Sequence, residues 1–180
     1  MNAKRSKRAR RGFTLIEAAL TTIIVGLAIS ASMQLFASCT IENRSSSRLS
    51  VAMLMASNIR EAMGGLSFRD PGTVGLVFGP EAGESLATWE DVDDFDGSTF
   101  NPPIDSQRQQ IPEQSQYTQV VSVWPVDPNQ LSLNSNESSP DIAKTTYTGA
   151  VRVRVRVLYQ ATPSDVASEV YRTSWIRVDN

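Results

Sequence analysis

The chain has 180 residues, with 17 basic and 19 acidic side chains, one cysteine and no histidine. Without histidine it lacks the commonest general base and most zinc ligand sets, and one cysteine cannot form an internal disulfide. The first twelve residues carry six of the 17 basic residues and no acid, which leaves 11 basic against 19 acidic residues, a net charge of about −8, on the rest; so acidic a chain is a poor candidate for nucleic-acid binding.

An uncharged apolar stretch follows the basic run. No residue from Ala18 to Ala37 is ionisable, and about twenty such residues on a helix span the hydrocarbon core of a bilayer. Because basic flanks stay on the cytoplasmic side, the pattern predicts a single membrane span with the remaining chain outside. Glu17 lies at the edge of this span, where it is either hydrated at headgroup depth or paired with a charge from another copy of the segment.

The junction between the basic run and the apolar stretch carries a family resemblance. Arg11 and Gly12 are followed by Phe13-Thr14-Leu15-Ile16-Glu17, which resembles the processing site of type IV pilins and type II secretion pseudopilins. The resemblance implies that prepilin peptidase cuts between Gly12 and Phe13, that the new amino terminus of Phe13 is N-methylated, and that Glu17 neutralises the terminal amine of a neighbouring subunit in a filament.

The same resemblance implies a structural protein of the bacterial inner membrane and not an enzyme. Residues 1–12 are then a leader peptide, 13–63 a long helix that is transmembrane over about 13–38, and 64–180 a periplasmic head. The amino terminus is cytoplasmic before processing. The implied partners are other pilin or pseudopilin subunits, prepilin peptidase, the inner-membrane assembly platform and membrane lipid, with no nucleic acid. The run from Arg48 to Glu61 resembles the helix of minor pseudopilins of the I type and related minor pilins.

The second half of the predicted helix has an apolar stripe. Apolar residues recur at steps of three and four, and Gly64-Gly65 provides a stop. The stripe should face a sheet. Its predicted members are Leu49, Ala52, Met53, Ala56, Ile59 and Met63.

An acidic segment, residues 89–97, follows a loop rich in glycine, proline and acids. Five carboxylates lie between Trp89 and Gly97, which leaves three interpretations open: a solvated loop held by Trp89 and Phe95, a calcium site, or a catalytic carboxylate pair. The candidate calcium ligands are Asp91, Asp93, Asp94 and Asp96. Upstream, residues 79–85 are superficially similar to a phosphate loop, but Glu84 stands where the lysine is required and would repel phosphate.

Three strands are predicted in the last third of the chain, over 117–124, 151–157 and 170–178. In the second strand, valines alternate with Arg152, Arg154 and Arg156, a period of two that is typical of a strand. The arginine face is either an ordinary solvent face or a surface for an acidic partner. Together these elements predict an α+β fold, in which the second half of a long amino-terminal helix packs against a small antiparallel sheet.

A second functional class also fits part of the sequence. Phe36-Ala37-Ser38-Cys39 is close to a lipobox, although leucine is usual where Phe36 stands. A lipid-anchored or single-pass envelope binding protein is therefore the alternative. Intact mass separates the two, because the alternative requires a diacylglyceryl group on Cys39.

Overall fold

The computed structural model describes residues 13–69, 78–129, 142–144, 146 and 148–179. Its helix and strands are α1 (Leu15–Ala62), β1 (Thr99–Phe100), β2 (Tyr117–Pro125), β3 (Ala150–Tyr159) and β4 (Ser168–Val178). Two short 3-10 helices lie at Asp93–Phe95 and Pro112–Gln114. The predicted α+β class, with one long amino-terminal helix and a small antiparallel sheet, is confirmed. The chain divides into two compact units, Met1–Ser46 and Ser47–Asn180.

In the first unit, α1 has no ionisable side chain on any face from Ala18 to Ala37. The helix is long and apolar enough to cross a membrane by length and composition. Its serine and threonine hydroxyls add little polarity, because five of them donate hydrogen bonds to carbonyls of the same helix. Thr21 and Thr22 donate to Ala18, Ser30 to Gly26, Ser32 to Ala28 and Thr40 to Phe36, at 2.8–2.9 Å. Internal satisfaction of this kind is what a helix in hydrocarbon requires.

In the second unit, four strands form one sheet in the order β1-β2-β3-β4, with every neighbouring pair antiparallel. The alternation predicted for β3 is observed. Val153 pairs with Val123 on one side and Trp175 on the other, and four alternate valines of β3 are buried: Val151, Val153, Val155 and Val157.

The end of α1 supplies the other half of the core. Five residues of α1 and Met63 beyond it were predicted for this role. The residues that are buried are Ala52, Met55, Ala56, Ile59, Ala62 and Met63. The predicted stripe was therefore wrong at two positions, since Leu49 and Met53 are 37% and 45% exposed. Met55 and Ala62 take their place, because the helix face that meets the sheet is centred between Ala52 and Ile59.

A buried glutamine connects this helix to the sheet. Gln119 of β2 is fully buried, and its Nε2 donates to the carbonyl oxygens of Met55 and Ile104 at 2.9 and 3.0 Å. Its Oε1 accepts from the Ile104 N–H at 2.7 Å. All three bonds join elements far apart in sequence, so Gln119 fixes the position of α1 and the loop around Ile104 relative to β2.

The opposite face of the sheet is less open to solvent than the sequence indicated. Arg152 and Arg154 are only 8% and 7% exposed, and the Arg154 guanidinium lies 4.6 Å from the ring centroid of Trp124. Burial, together with the neighbouring Arg152 and Arg156, lowers the pKa of Arg154. Arg156 and Arg172 both contact the carboxylate of Glu169, so this face has its own ion pairs and aromatic contacts.

Candidate functional site

The first candidate site is the amino-terminal end of α1. Thr14 precedes the first helical residue, and its hydroxyl oxygen accepts a hydrogen bond from the Glu17 N–H at 3.3 Å. Threonine at the cap and glutamate three residues later is the capping-box pattern, in which a glutamate or glutamine at this position supports the helix start. As an acid in the first turn, the Glu17 side chain also complements the helix dipole, a local role that the sequence pattern had not singled out.

The predicted processing residues lie at the limit of the described chain. Gly12 falls outside the described residues, as does the leader 1–12. Phe13 is described, precedes the helix and is 70% exposed. Glu17 is exposed too, and the part of the chain that the structure describes places no cation against it within ion-pair distance.

The helix that carries Glu17 offers a large surface for burial. Thirteen large apolar side chains between Phe13 and Ile41 are at least half exposed, among them Leu27 at 67% and Phe36 at 73%. Burying each such side chain is worth about 1.5–3 kcal/mol. This part of the helix therefore has a large apolar surface that the described residues leave uncovered, with an acid at its amino-terminal edge.

The second candidate site is the acidic segment 89–97, where two aspartates brace each other's backbone. Asp91 Oδ1 accepts from the N–H groups of Asp93 and Asp94 at 3.1 and 3.2 Å. Asp94 Oδ2 accepts in return from the N–H groups of Glu90 and Asp91 at 3.0 and 3.2 Å. These bonds hold the 3-10 helix Asp93–Phe95, so both carboxylates are buried, and the segment is not a solvated loop.

Crowding of carboxylates in a buried place changes their protonation. Burial, with the nearby Asp93 and Asp94, raises the pKa of Asp91 to about 8. Burial also raises the pKa of Asp94 and that of Asp93, although a hydrogen bond from the Gly79 N–H opposes the change at Asp93. The segment thus holds several acids whose charged forms are unfavourable unless a cation or proton is present.

The fourth predicted ligand, Asp96, has another function. Its Oδ1 accepts from the Val123 N–H of β2 at 2.9 Å, which continues the bonding of that strand beyond β1. Its other oxygen forms an ion pair with Lys144. Asp96 therefore attaches the acidic segment to the sheet.

Aromatic packing holds the acidic segment in place, and Trp89 and Phe95 make the contact that was expected of them. Phe95 is fully buried and meets Trp89 edge-on, with the ring centroids 4.8 Å apart. Phe100 of β1 completes the cluster. Arg108 lies over Phe95 at 5.6 Å and donates to the Trp89 carbonyl at 2.8 Å. The acidic segment is thus a rigid part of the head.

A different set of acids from the predicted one converges on a single point. Oxygens from Glu81, Glu84 and Asp94 lie within 4.8 Å of one another. Of the four candidate calcium ligands, only Asp94 belongs to this group, because hydrogen bonds and an ion pair occupy the others. The sequence pattern had marked Glu84 only as the residue that excludes a phosphate loop, and it had connected neither glutamate to the acidic segment.

The comparisons with known proteins do not decide between these sites. No protein-family model matches the chain, and no curated protein or solved structure is significantly similar to it.

Proposed function

We propose that this chain is a structural subunit of a type II secretion pseudopilus or a type IV pilus-like filament. The observation that carries the proposal is an acid, Glu17, in the first turn of a long helix that is apolar after it and exposed from its start to Ser50. A plain membrane anchor needs no charge at that place. A helix that packs against identical or related helices can use the acid to bind a neighbour.

The mechanism begins with processing. Prepilin peptidase removes residues 1–12, and the new amine at Phe13 is methylated but stays cationic. As subunits leave the bilayer for the filament, their apolar helices pack side by side, and Glu17 of one subunit pairs with the terminal amine of the next. In such a dry setting, an unpaired charge is destabilising by about 3–5 kcal/mol. The pairing therefore selects one register of helix packing.

The proposed location follows from the charge pattern. The basic leader remains at the cytoplasmic face of the inner membrane, and the head lies in the periplasm. The partners are other pilin or pseudopilin subunits, the peptidase, the inner-membrane assembly platform and membrane lipid. The resemblance of the run from Arg48 to Glu61 favours a minor pseudopilin of the I type or a minor pilin. The role is structural, and the energy for assembly comes from other components.

Substitutions at Glu17 test the mechanism, because the capping role and the charge can be separated. Glu17→Gln keeps a side chain that suits the capping box and removes only the charge. Glu17→Ala removes both. The measurement is the amount of each subunit in the sheared filament fraction of the producing cells, relative to the amount in the membrane.

The expected result is normal processing of both variants and loss of incorporation in both. A pairing worth about 3–5 kcal/mol corresponds to a decrease of at least about 100-fold. If Glu17→Gln is incorporated like the native chain while Glu17→Ala is not, Glu17 acts only as a helix cap and the pairing mechanism is wrong.

A further inference from the structure

The region of interest is the loop 79–84, which lies against the acidic segment. The Gly79 N–H donates to Asp93 Oδ2 at 3.0 Å, which fixes the start of the loop. A tight turn follows, in which the Glu84 N–H donates to the Glu81 carbonyl at 3.1 Å and the Glu81 N–H donates to Glu84 Oε2 at 3.2 Å. Gly83 in this turn has a φ of +102°, where a side chain would be strained. The turn directs both glutamates toward Asp94.

A second observation concerns Asp94 itself. Asp94 is only 1% exposed, and its buried Oδ1 has no hydrogen-bond partner among the residues that the structure describes. The other oxygen, Oδ2, is fully used by two backbone N–H groups. A buried acceptor without a donor costs about 1–3 kcal/mol, and more when it is charged. The carboxylates of Glu81 and Glu84 have oxygens within 4.8 Å of an oxygen of Asp94, and they offer no donor when ionised.

From these two observations we infer that Glu81, Glu84 and Asp94 form a binding site for a calcium ion. A cation would satisfy the unpartnered oxygen of Asp94 and neutralise three acids that otherwise repel one another. It would also join the loop 79–84 to the 3-10 helix Asp93–Phe95, and through Phe95 to the core of the head.

The ligand set and its dimensions favour calcium over other metals. Carboxylate oxygens suit hard cations, whereas zinc sites usually include nitrogen or sulfur. Calcium binds oxygens at about 2.4 Å, so two ligands of one ion can be up to about 4.8 Å apart. The three oxygens lie within that separation. Magnesium demands a near-ideal octahedral arrangement and loses its water reluctantly, so proteins usually hold it with only one or two carboxylates. Backbone oxygens or water would complete the calcium coordination.

The site does not depend on the proposed filament role, since it uses no residue of the amino-terminal helix. The test is calcium titration of the full chain in detergent micelles after treatment with a chelator. Isothermal calorimetry measures binding, and the melting temperature is followed by near-UV circular dichroism. All three tryptophans, Trp89, Trp124 and Trp175, belong to the head, so this signal reports on the head.

The native chain should bind one calcium ion, and millimolar calcium should raise the melting temperature by several degrees. Glu81→Gln and Glu84→Gln should each weaken binding at least tenfold. Both side chains are only half-buried, so these variants are expected to fold. The matched control is Glu90→Gln, which removes one charge from an exposed acid of the same segment and should bind calcium like the native chain.

Three results would overturn the inference. The first is the absence of both a binding heat and a change of melting temperature in the native chain. The second is equal weakening of binding by Glu90→Gln and Glu84→Gln, which would indicate diffuse attraction to an acidic surface. The third is full retention of binding by Glu81→Gln and Glu84→Gln.

Discussion

Gln119 is the residue whose substitution tests the architecture of the head most sharply. Gln119→Ala removes three hydrogen bonds, each with a net value of about 1 kcal/mol. It also leaves the N–H and C=O of Ile104, a fully buried residue, without these partners, at about 1–3 kcal/mol for each group that stays unsatisfied. The cost at Ile104 takes the place of the net value of its two bonds and is not added to it. With about 1 kcal/mol for the bond to Met55 and about 1–2 kcal/mol for each Ile104 group, the expected loss in free energy of unfolding is about 3–5 kcal/mol, at the upper end for single substitutions.

The measurement is urea denaturation of the full chain in detergent, followed by tryptophan near-UV circular dichroism. With a slope of about 2 kcal/mol per molar urea, the midpoint should fall by about 1.5–2.5 M. The control is Gln116→Ala, in which an exposed glutamine just before the same strand is truncated; it should change stability by less than about 0.5 kcal/mol.

A third variant tests the direction of the hydrogen bonds. Gln119→Glu keeps the acceptor for Ile104 but replaces the donor by an oxygen that faces two carbonyl groups, so it should be destabilising at neutral pH. Protonation restores one donor, and the deficit should shrink on acidification. If Gln119→Ala and Gln116→Ala have the same midpoint, the glutamine does not hold the helix and sheet together.

Two further predictions concern the stability of the head. Arg177 of β4 donates to the carbonyls of Met63, Gly64 and Leu66 at 2.7–3.3 Å. In the Arg177→Lys variant, one ammonium group cannot reach all three carbonyls, so the free energy of unfolding should fall by about 1–3 kcal/mol. An unchanged urea midpoint would contradict this prediction. The pKa of Asp91 is about 8 in the folded chain against 3.8 as the ordinary value, so the folded state holds a proton that the unfolded state has released. The stability that this group contributes is complete below about pH 4 and is lost as the pH rises through about 8. In calcium-free buffer the urea midpoint should therefore fall between pH 5 and pH 9, and Asp91→Asn should reduce this dependence of the midpoint on pH. A midpoint that rises over the same range would refute the assignment.

The regular elements could be predicted from the sequence because their patterns are long. The alternation of valine and arginine in β3 admits only a strand, and an uncharged run of twenty residues admits few structures besides a helix. β1 was not predicted, because two residues carry no periodicity; Thr99 and Phe100 become a strand only by pairing with β2. The helix stripe was displaced because several apolar faces of α1 were available, and the sheet decides which one is buried.

For the acidic segment, the composition predicted only part of what the structure shows. Five carboxylates between Trp89 and Gly97 indicated a special loop, and the packing of Trp89 against Phe95 is observed. The sequence could not predict which carboxylate oxygens remain free to bind a cation. That depends on backbone N–H groups that turn toward Asp91, Asp93 and Asp94 only in the folded chain. Glu81 and Glu84 join the group through a turn that the sequence pattern did not connect to it.

The central claim is that the amino-terminal helix assembles subunits after the leader has been removed. Intact mass spectrometry of the protein purified from its native membrane tests this claim most directly. The account predicts a chain that lacks residues 1–12, begins at Phe13 and carries one additional methyl group. A mature chain that still begins at Met1 would contradict the account, and so would one that begins at Cys39 with a diacylglyceryl group.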